Sequence, residues 1–309
     1  MSAPTVSVLL PTHNRPAWLR QALCSVLDGE WRDLEVVVSN NGRLQDTREL
    51  AAEVGDPRVR WLEAPGASLL DNWRNALGAA RGRFVAPLHD DDWWDPRLLA
   101  TIIPPLVADD GLAVAFAEAW EVDAGGTIDP EGSRRLTATR GRDTLAPGAH
   151  RPFHPLVVRG SVPLPGSAFR RDRLPVEAYP AQVGPALDFW TFHLLASTGL
   201  GAYHCPERLV YCRAHASSDF AAQPVDNLLC AVRVGEAMLR EPGYDQCRDE
   251  LQALLAGWQW SIGRAALHRG SRRDARSHLR AALSLRPSAR VLGGWAASWL
   301  LPGPVLRHI

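Results

Sequence analysis

No lysine occurs in this 309-residue chain, so all 34 of its basic side chains are arginine. That absence excludes a Walker-type phosphate lysine and a Schiff-base lysine. Net charge is lacking too: 34 acidic residues balance the arginines to +0, which argues against a nucleic-acid binder working through a basic surface. The five cysteines, Cys24, Cys205, Cys212, Cys230 and Cys247, form no C-x-x-C pair and no zinc spacing with histidine. Their odd number and scatter fit reduced thiols in a cytoplasmic protein. No apolar run reaches the length of a membrane span. The start of the chain has no cluster of positive charge, and Pro11 interrupts its first apolar run, so no signal peptide is expected. What is present is an ordinary globular composition, 46% apolar and 22% charged, long enough for one large α/β domain or two smaller ones.

Short apolar runs alternate with helical periodicities through the first third of the chain. Residues 6–10, 34–38, 59–62, 84–88 and 113–117 read as buried strands. Between them, Asn14 is placed to cap a helix with Pro16 in its first turn and Leu19, Leu23, Val26 and Leu27 on one face. Residues 47–54, 68–80 and 96–107 complete the helices. Alternation of this kind predicts a doubly wound, mostly parallel sheet, whose strands end on one side and bring His13, Asn40 and Asp91 to one cleft. Residues 123–155, rich in Gly, Pro, Arg and Thr, read as a long irregular excursion beside that cleft. A helix opens near Asp188, two short extended pieces flank Pro206, and the chain from residue 225 onward is helical.

The most pointed stretch is RFVAPLHDDDWWDP, residues 83–96. A strand ending in Asp90, Asp91 and Asp92 places three carboxylates where open α/β sheets bind ligands. Their mutual repulsion favours either a hard cation such as Mg2+ or Mn2+ carrying a diphosphate, or the N-terminus of the following helix, with Asp92 as its cap. Trp93 and Trp94 beside the cluster are candidates for stacking on a sugar, whereas Trp73 has the spacing of a core residue.

Together these segments resemble the family 2 glycosyltransferases of the GT-A fold over about the first 215 residues. VSVLLPTHNR is similar to the family's strand and nucleotide-contacting loop, and VVVSNNG to its second strand. DNWRNALGAARGRFVAPLHDDDWWDP is similar to its longest signature, and ALDFW followed by PERLVYCRAH to its catalytic acidic motif and later histidine. The resemblance implies that Pro11, Thr12, Asn14, Arg15, Ser39, Asn40, Asn72, His89 and Asp90 contact a nucleoside diphosphate-sugar, with UDP or dTDP as its nucleotide. It makes Asp91, Asp92 and His215 the ligands of Mn2+ or Mg2+, and Asp188 the base that deprotonates an acceptor hydroxyl in an inverting transfer. Arg170, Arg171 and Arg213 are either phosphate clamps or surface arginines.

It also implies three parts: residues 1–118 binding the donor, residues 119–220 on the acceptor side with a variable loop, and residues 221–309 as a C-terminal helical region. The acceptor is a glycan, a lipid-linked sugar or a small molecule. A homodimer is compatible, nucleic acid is not expected, and the protein is placed in the cytoplasm. The C-terminal tryptophans Trp295 and Trp299, with Arg290 and Arg307, meet either the inner face of a membrane or the catalytic domain.

Two positions depart from the family pattern. Asn40 stands where an acidic residue usually reads the base. His89 stands where many relatives carry an aspartate, and it adds no negative charge to hold a metal. These departures leave a non-catalytic scaffold as the alternative. A sugar nucleotidyltransferase shares the sheet but needs a Gly-rich basic loop that PTHNRP does not supply.

Overall fold

The first apolar run forms β1 (Val6–Thr12), buried along nearly all of its length. The computed structural model describes residues 3–214 and 224–300. On one side of β1 lie β2 (Leu34–Asn40) and then β3 (Val59–Glu63), all parallel, with Val6 opposite Leu34. On its other side lies the short parallel strand β4 (Phe84–Pro87), Val6 opposite Phe84. The main path of the sheet continues through β5 (Trp93–Trp94), β6 (Leu112–Val122), β9 (Ser167–Arg170) and β10 (Gly201–Arg213), giving the order β3-β2-β1-β4-β9-β6-β10-β5, with two further short strands off this path. β6 and β10 are parallel, while β9 runs antiparallel between β4 and β6.

Helices α1 (Pro16–Leu27), α2 (Leu44–Val54), α3 (Leu69–Ala79) and α4 (Leu98–Ala108) connect these strands. Leu19, Leu23 and Val26 of α1 bury one stripe in a core shared with Val6, Val8 and Leu10 of β1 and Ile102, Ile103 and Leu106 of α4. Ser68 caps α3, its hydroxyl accepting the Asp71 N–H. Trp73 is buried as its spacing predicts.

Contacts gather into two units, Met1–Ala181 with Trp190–Ala216, and Gln182–Phe189 with Ser217–Ile309. Several expectations need correction in the first. Residues 123–155 are not an irregular excursion: they carry β7 (Ile128–Asp129), α5 (Pro130–Thr139) and β8 (Gly148–His150), and α6 (His154–Val158) begins at their end. Periodicity missed α5 because its face is Gly132, Ser133 and Thr137, small or polar residues held by an Asp129 cap. The pieces around Pro206 are one strand, β10, whose register shifts between Cys205 and Val210. A bulge there accommodates a proline that has no N–H to give the ladder. Finally, α4 begins at Leu98 rather than Pro96, because Trp93 and Trp94 pair with β10 first.

A buried ionic network explains why this segment is ordered. Glu118 of β6 accepts Arg142 Nε at 3.0 Å and Thr137 Oγ1 at 3.1 Å, and lies 3.2 Å from His204 Nε2 of β10. Arg208 adds a bond to Thr137 Oγ1 at 2.9 Å. Burial pushes the Glu118 carboxyl up, but His204, Arg142 and Thr137 outweigh it and hold the pKa below its ordinary value of 4.5. A carboxylate depressed in the folded state stabilises above its unfolded pKa and loses that contribution as pH falls through the folded value. Glu118→Gln is therefore expected to cost about 2 kcal/mol at neutral pH. It should also flatten the fall in urea-unfolding free energy below pH 4.5. An unchanged acid slope would mean that Glu118 is not the group being titrated.

The second unit consists largely of helices: α8 (Pro224–Met238), α9 (Arg248–His268), α10 (Arg272–Leu285) and α11 (Ala289–Leu300). Helix α7 (Leu187–Ala196) begins in this unit and continues into the first. Gly270, at φ +81°, ends α9 with the Ser271 N–H on Ala266 O and its own N–H on Leu267 O, turning the chain into α10. Ala266, Leu267, Ala275, Leu279, Ala282 and Val291 form the core of this hairpin.

Candidate functional site

The ends of β1, β2 and β4 converge on the acidic run. Asp90 is buried, and its Oδ2 accepts the Thr12 hydroxyl at 2.8 Å and the His13 N–H at 3.1 Å. Its Oδ1 accepts Arg15 Nη1 at 3.1 Å, and the same nitrogen reaches Asp91 Oδ2 at 2.9 Å. Burial raises the Asp90 pKa above the carboxylate norm; Arg15 opposes that rise and Asp91 adds to it. Asp90 thus ties the PTHNR turn to the acidic run, and Arg15 bridges two carboxylates that would otherwise repel.

Asp92 is not a helix cap. Its Oδ1 accepts the Arg213 N–H at 2.9 Å, fastening the end of β10 to the site. His89 Nδ1 lies 3.6 Å from Asp92 Oδ2. Among the described residues, His89, Asp91 and Asp92 each offer one donor atom, all within 4.8 Å of one another. Two carboxylates and an imidazole are an acceptable donor set for a divalent cation. His89 thus joins the carboxylates as a third potential ligand, whereas His215 lies outside the described residues.

Arg213 is a strut rather than a phosphate clamp. Its nitrogens reach Asp91 O at 3.0 Å, Ala124 O at 2.7 Å and Gln21 Oε1 at 2.7 Å. The guanidinium lies 5.1 Å from the Trp18 ring centre and 4.9 Å from that of Trp93. Trp93 in turn stacks on Tyr211 at 5.0 Å. Trp94 is buried and donates to Pro165 O at 2.6 Å, so it presents no free face to a sugar. Sequence spacing gave no sign of Trp18 and Gln21, because Arg213, which binds them, arrives from almost 200 residues away.

The nucleotide-side candidates divide into an open group and a buried one. Asn14, at φ +56°, does not cap α1, whose N-cap is Arg15 without a side-chain bond. Its Oδ1 instead accepts the Arg43 N–H at 2.6 Å, joining the β1 and β2 turns. A Cβ on Gly42 would lie 2.4 Å from that oxygen, so the turns meet this closely only with glycine there. His13 Nδ1 lies 3.0 Å from Asn41 Oδ1, adding both residues to the open group. Pro11 is half-buried beside Thr12.

Asn40 is turned inward. Its Nδ2 donates to Arg43 O and Thr47 Oγ1 at 2.9 and 2.8 Å, and its Oδ1 accepts the Gly42 N–H at 2.8 Å. Ser39 and Asn72, expected to touch the nucleotide, are buried: Ser39 Oγ donates to Asn72 Oδ1 at 2.6 Å and accepts Asn75 Nδ2 at 2.9 Å. These three hold the β2 end and α3 in place beneath the open group.

Arg170 and Arg171 lie at the other end of the sheet strands, around a cavity of about 720 Å³ that Thr5 and Arg83 also line. Arg170 is buried there, with its nitrogens on Leu112 O, Leu106 O and Asp109 O. Neither arginine reaches the acidic run.

Asp188 is exposed in the first turn of α7 and belongs to the second unit. Beside it Phe189 meets the Trp258 ring edge-on at 5.5 Å.

The Glycosyl transferase family 2 model matches residues 7–155. The chain is similar to the chondroitin synthase of Pasteurella multocida (strain Pm70), 26% identical over 149 residues that cover 48% of this chain and 15% of that protein. It is also similar to a GalNAc(5)-diNAcBac-PP-undecaprenol beta-1,3-glucosyltransferase of Campylobacter jejuni, 31% identical over 121 residues, 37% of each chain. The chain therefore spans well under two thirds of the length of these relatives. Among solved structures it resembles S. aureus TarS 1–349 in complex with UDP-GlcNAc, with TM-score 0.68, 13% identity and coverage of 98% and 89% of the two chains. It also resembles the mannosyltransferase PcManGT from Pyrobaculum calidifontis in complex with GDP-Man and Mn2+, with TM-score 0.60, 16% identity and coverage of 100% and 84%. At those identities the likeness is one of fold: a mostly parallel sheet flanked by helices.

Proposed function

We propose, from the match of residues 7–155 to the Glycosyl transferase family 2 model, that the chain belongs to that family and moves a sugar from a nucleoside diphosphate donor to an acceptor hydroxyl. The observation that carries this reading is the convergence of residues 12–15, 40–42 and 89–92 where the strand order reverses beside β1. Open α/β sheets bind nucleotides at such a reversal. Pro11, Thr12, Asn14, Arg15 and His89 are the donor-contacting candidates, and Asn40, Ser39 and Asn72 support them from beneath.

His89, Asp91 and Asp92 would hold Mn2+ or Mg2+, with His215 as a further ligand by resemblance. Such a cation, when bound, offsets the charge that builds on the departing diphosphate. Asp188 is assigned the acceptor proton: an exposed carboxylate takes it as the hydroxyl oxygen attacks the anomeric carbon opposite the leaving group, so the configuration inverts. Residues 1–118 serve the donor and residues 119–220 the acceptor, which is a glycan, a lipid-linked sugar or a small molecule. No described helix is long and apolar enough to cross a membrane. Work at the cytoplasmic face, with peripheral attachment through the C-terminal helices, belongs to the same reading.

Thermal unfolding with UDP, dTDP and GDP, each with Mn2+, Mg2+ or chelator, tests it. UDP or dTDP at 100 times its dissociation constant is expected to add about 2.7 kcal/mol, and only with metal. Absence of a shift with every nucleotide would remove the donor site and leave a scaffold.

A further inference from the structure

The second unit carries a charge distribution that the neutral total conceals. Residues 251–309 contain nine arginines and a single acidic residue, Asp274, in a chain whose formal net charge is +0. Part of that excess is gathered on one face. Helix α10 buries Ala275, Leu279 and Ala282 against the hairpin core and turns Arg273, Arg276 and Arg280 the other way, at helical spacing. With Trp295 and Trp299 of α11 these arginines line an open groove of about 570 Å³.

The side chains of this groove are unequal. Arg276 is built into the protein: its guanidinium lies 3.5 Å from the Trp299 ring centre, and its Nη2 donates to Ser298 O at 2.9 Å. Arg273 and Arg280 are exposed and make no hydrogen bond or ion pair among the described residues. Asp274, whose carboxylate accepts the Ser271 hydroxyl at 2.6 Å, is one negative charge against these several arginines. Trp299 remains 55% exposed although it packs edge-on against Trp295, and Leu292 on the same helix is 53% exposed. Exposed indole and leucine side chains beside uncompensated guanidinium groups combine the two attractions of an interfacial helix. The apolar side chains suit the headgroup–acyl boundary and the cations suit anionic lipid.

We propose that the α10–α11 groove docks on an anionic lipid bilayer, with Arg273 and Arg280 on lipid phosphates and Trp299 and Leu292 at the interface. The proposal rests on the peripheral attachment put forward above and gives it a surface and a lipid class. A single-stranded nucleic acid would use the same arginines and indoles, but it gives no reason for an exposed Leu292 beside them.

The test is flotation of the full chain with phosphatidylcholine vesicles, with and without phosphatidylglycerol, against a single-stranded oligonucleotide at the same ionic strength. Binding to the phosphatidylglycerol vesicles alone is expected. Arg273→Gln with Arg280→Gln should lower partition roughly 30-fold, each arginine near an anionic surface contributing about fivefold. Trp299→Ala should lower it as well. A control pair of equal charge, exposed Arg264→Gln on α9 with exposed Arg269→Gln at its C-cap, should keep most of the binding. Thermal midpoints and nucleotide-induced shifts, measured on every variant, separate a surface effect from damage to the fold. Equal binding by the Arg273/Arg280 variant would overturn the groove and leave attachment elsewhere on the unit. No binding by the unaltered chain would overturn both, and preference for the oligonucleotide would replace lipid as the occupant.

Discussion

Asp91→Asn is expected to weaken Mn2+ retention by at least about 100-fold, because even outer-shell changes at metal sites cost 10- to 100-fold. Turnover should fall by about a thousandfold, the scale of removing one stabiliser of charge that develops during reaction. The fold should survive. Asp90, not Asp91, accepts from Thr12 and His13, and Arg15 keeps Asp90 as a partner when Asp91 is neutralised. Direct titration of Mn2+ into the variant, followed by paramagnetic resonance, checks the first number without reference to activity. Retained Mn2+ affinity would show that the cation sits elsewhere and that the acidic run is a structural turn.

Asp188→Asn should lower kcat by about 10²- to 10⁴-fold, the range for loss of a positioned base. Donor KM and Mn2+ affinity should stay near their original values, since the grouped metal donors are His89, Asp91 and Asp92. Thermal midpoints of the variant separate a catalytic loss from a loss of stability. A variant that keeps its kcat, or loses donor affinity instead, would move the base to another residue. The two substitutions therefore report on separate functions: one on holding charge, the other on moving a proton.

Which features the residues announced follows from how local their causes are. β1, β2 and β4 are buried on both faces, so they appear as mostly apolar runs, broken only by Ser7 and Glu35 before their polar ends, and the acidic turn after β4 is visible because carboxylates end the run abruptly. The helices Arg272–Leu285 and Ala289–Leu300 also follow directly from their periodicity. β5 and β9 are two and four residues long, and only their antiparallel partners make them strands. The inward turn of Asn40 depends on Thr47 and Arg43 meeting it across a loop. The Ser39–Asn72 bond spans 33 residues and the Arg213–Asp92 bond 121. Motif resemblance singled out Ser39, Asn72 and Asp92, but a motif does not say whether a polar residue faces the cleft or braces it.

The shared nitrogen of Arg15 has a thermodynamic consequence. Asp91 holds that guanidinium at 2.9 Å, so a cation arriving at the same carboxylate displaces or competes with it. The guanidinium, still held by Asp90 at 3.1 Å, would then turn hydrogen-bonding capacity toward phosphate oxygens beside the β1 turn. If the proposed site holds both, cation and donor would be heterotropic effectors of one another. By linkage, the factor by which the cation tightens the donor equals the factor by which the donor tightens the cation. Below saturating cation the apparent donor affinity becomes a measure of how completely Arg15 has been exchanged, and the order in which the two ligands arrive leaves the final complex unchanged.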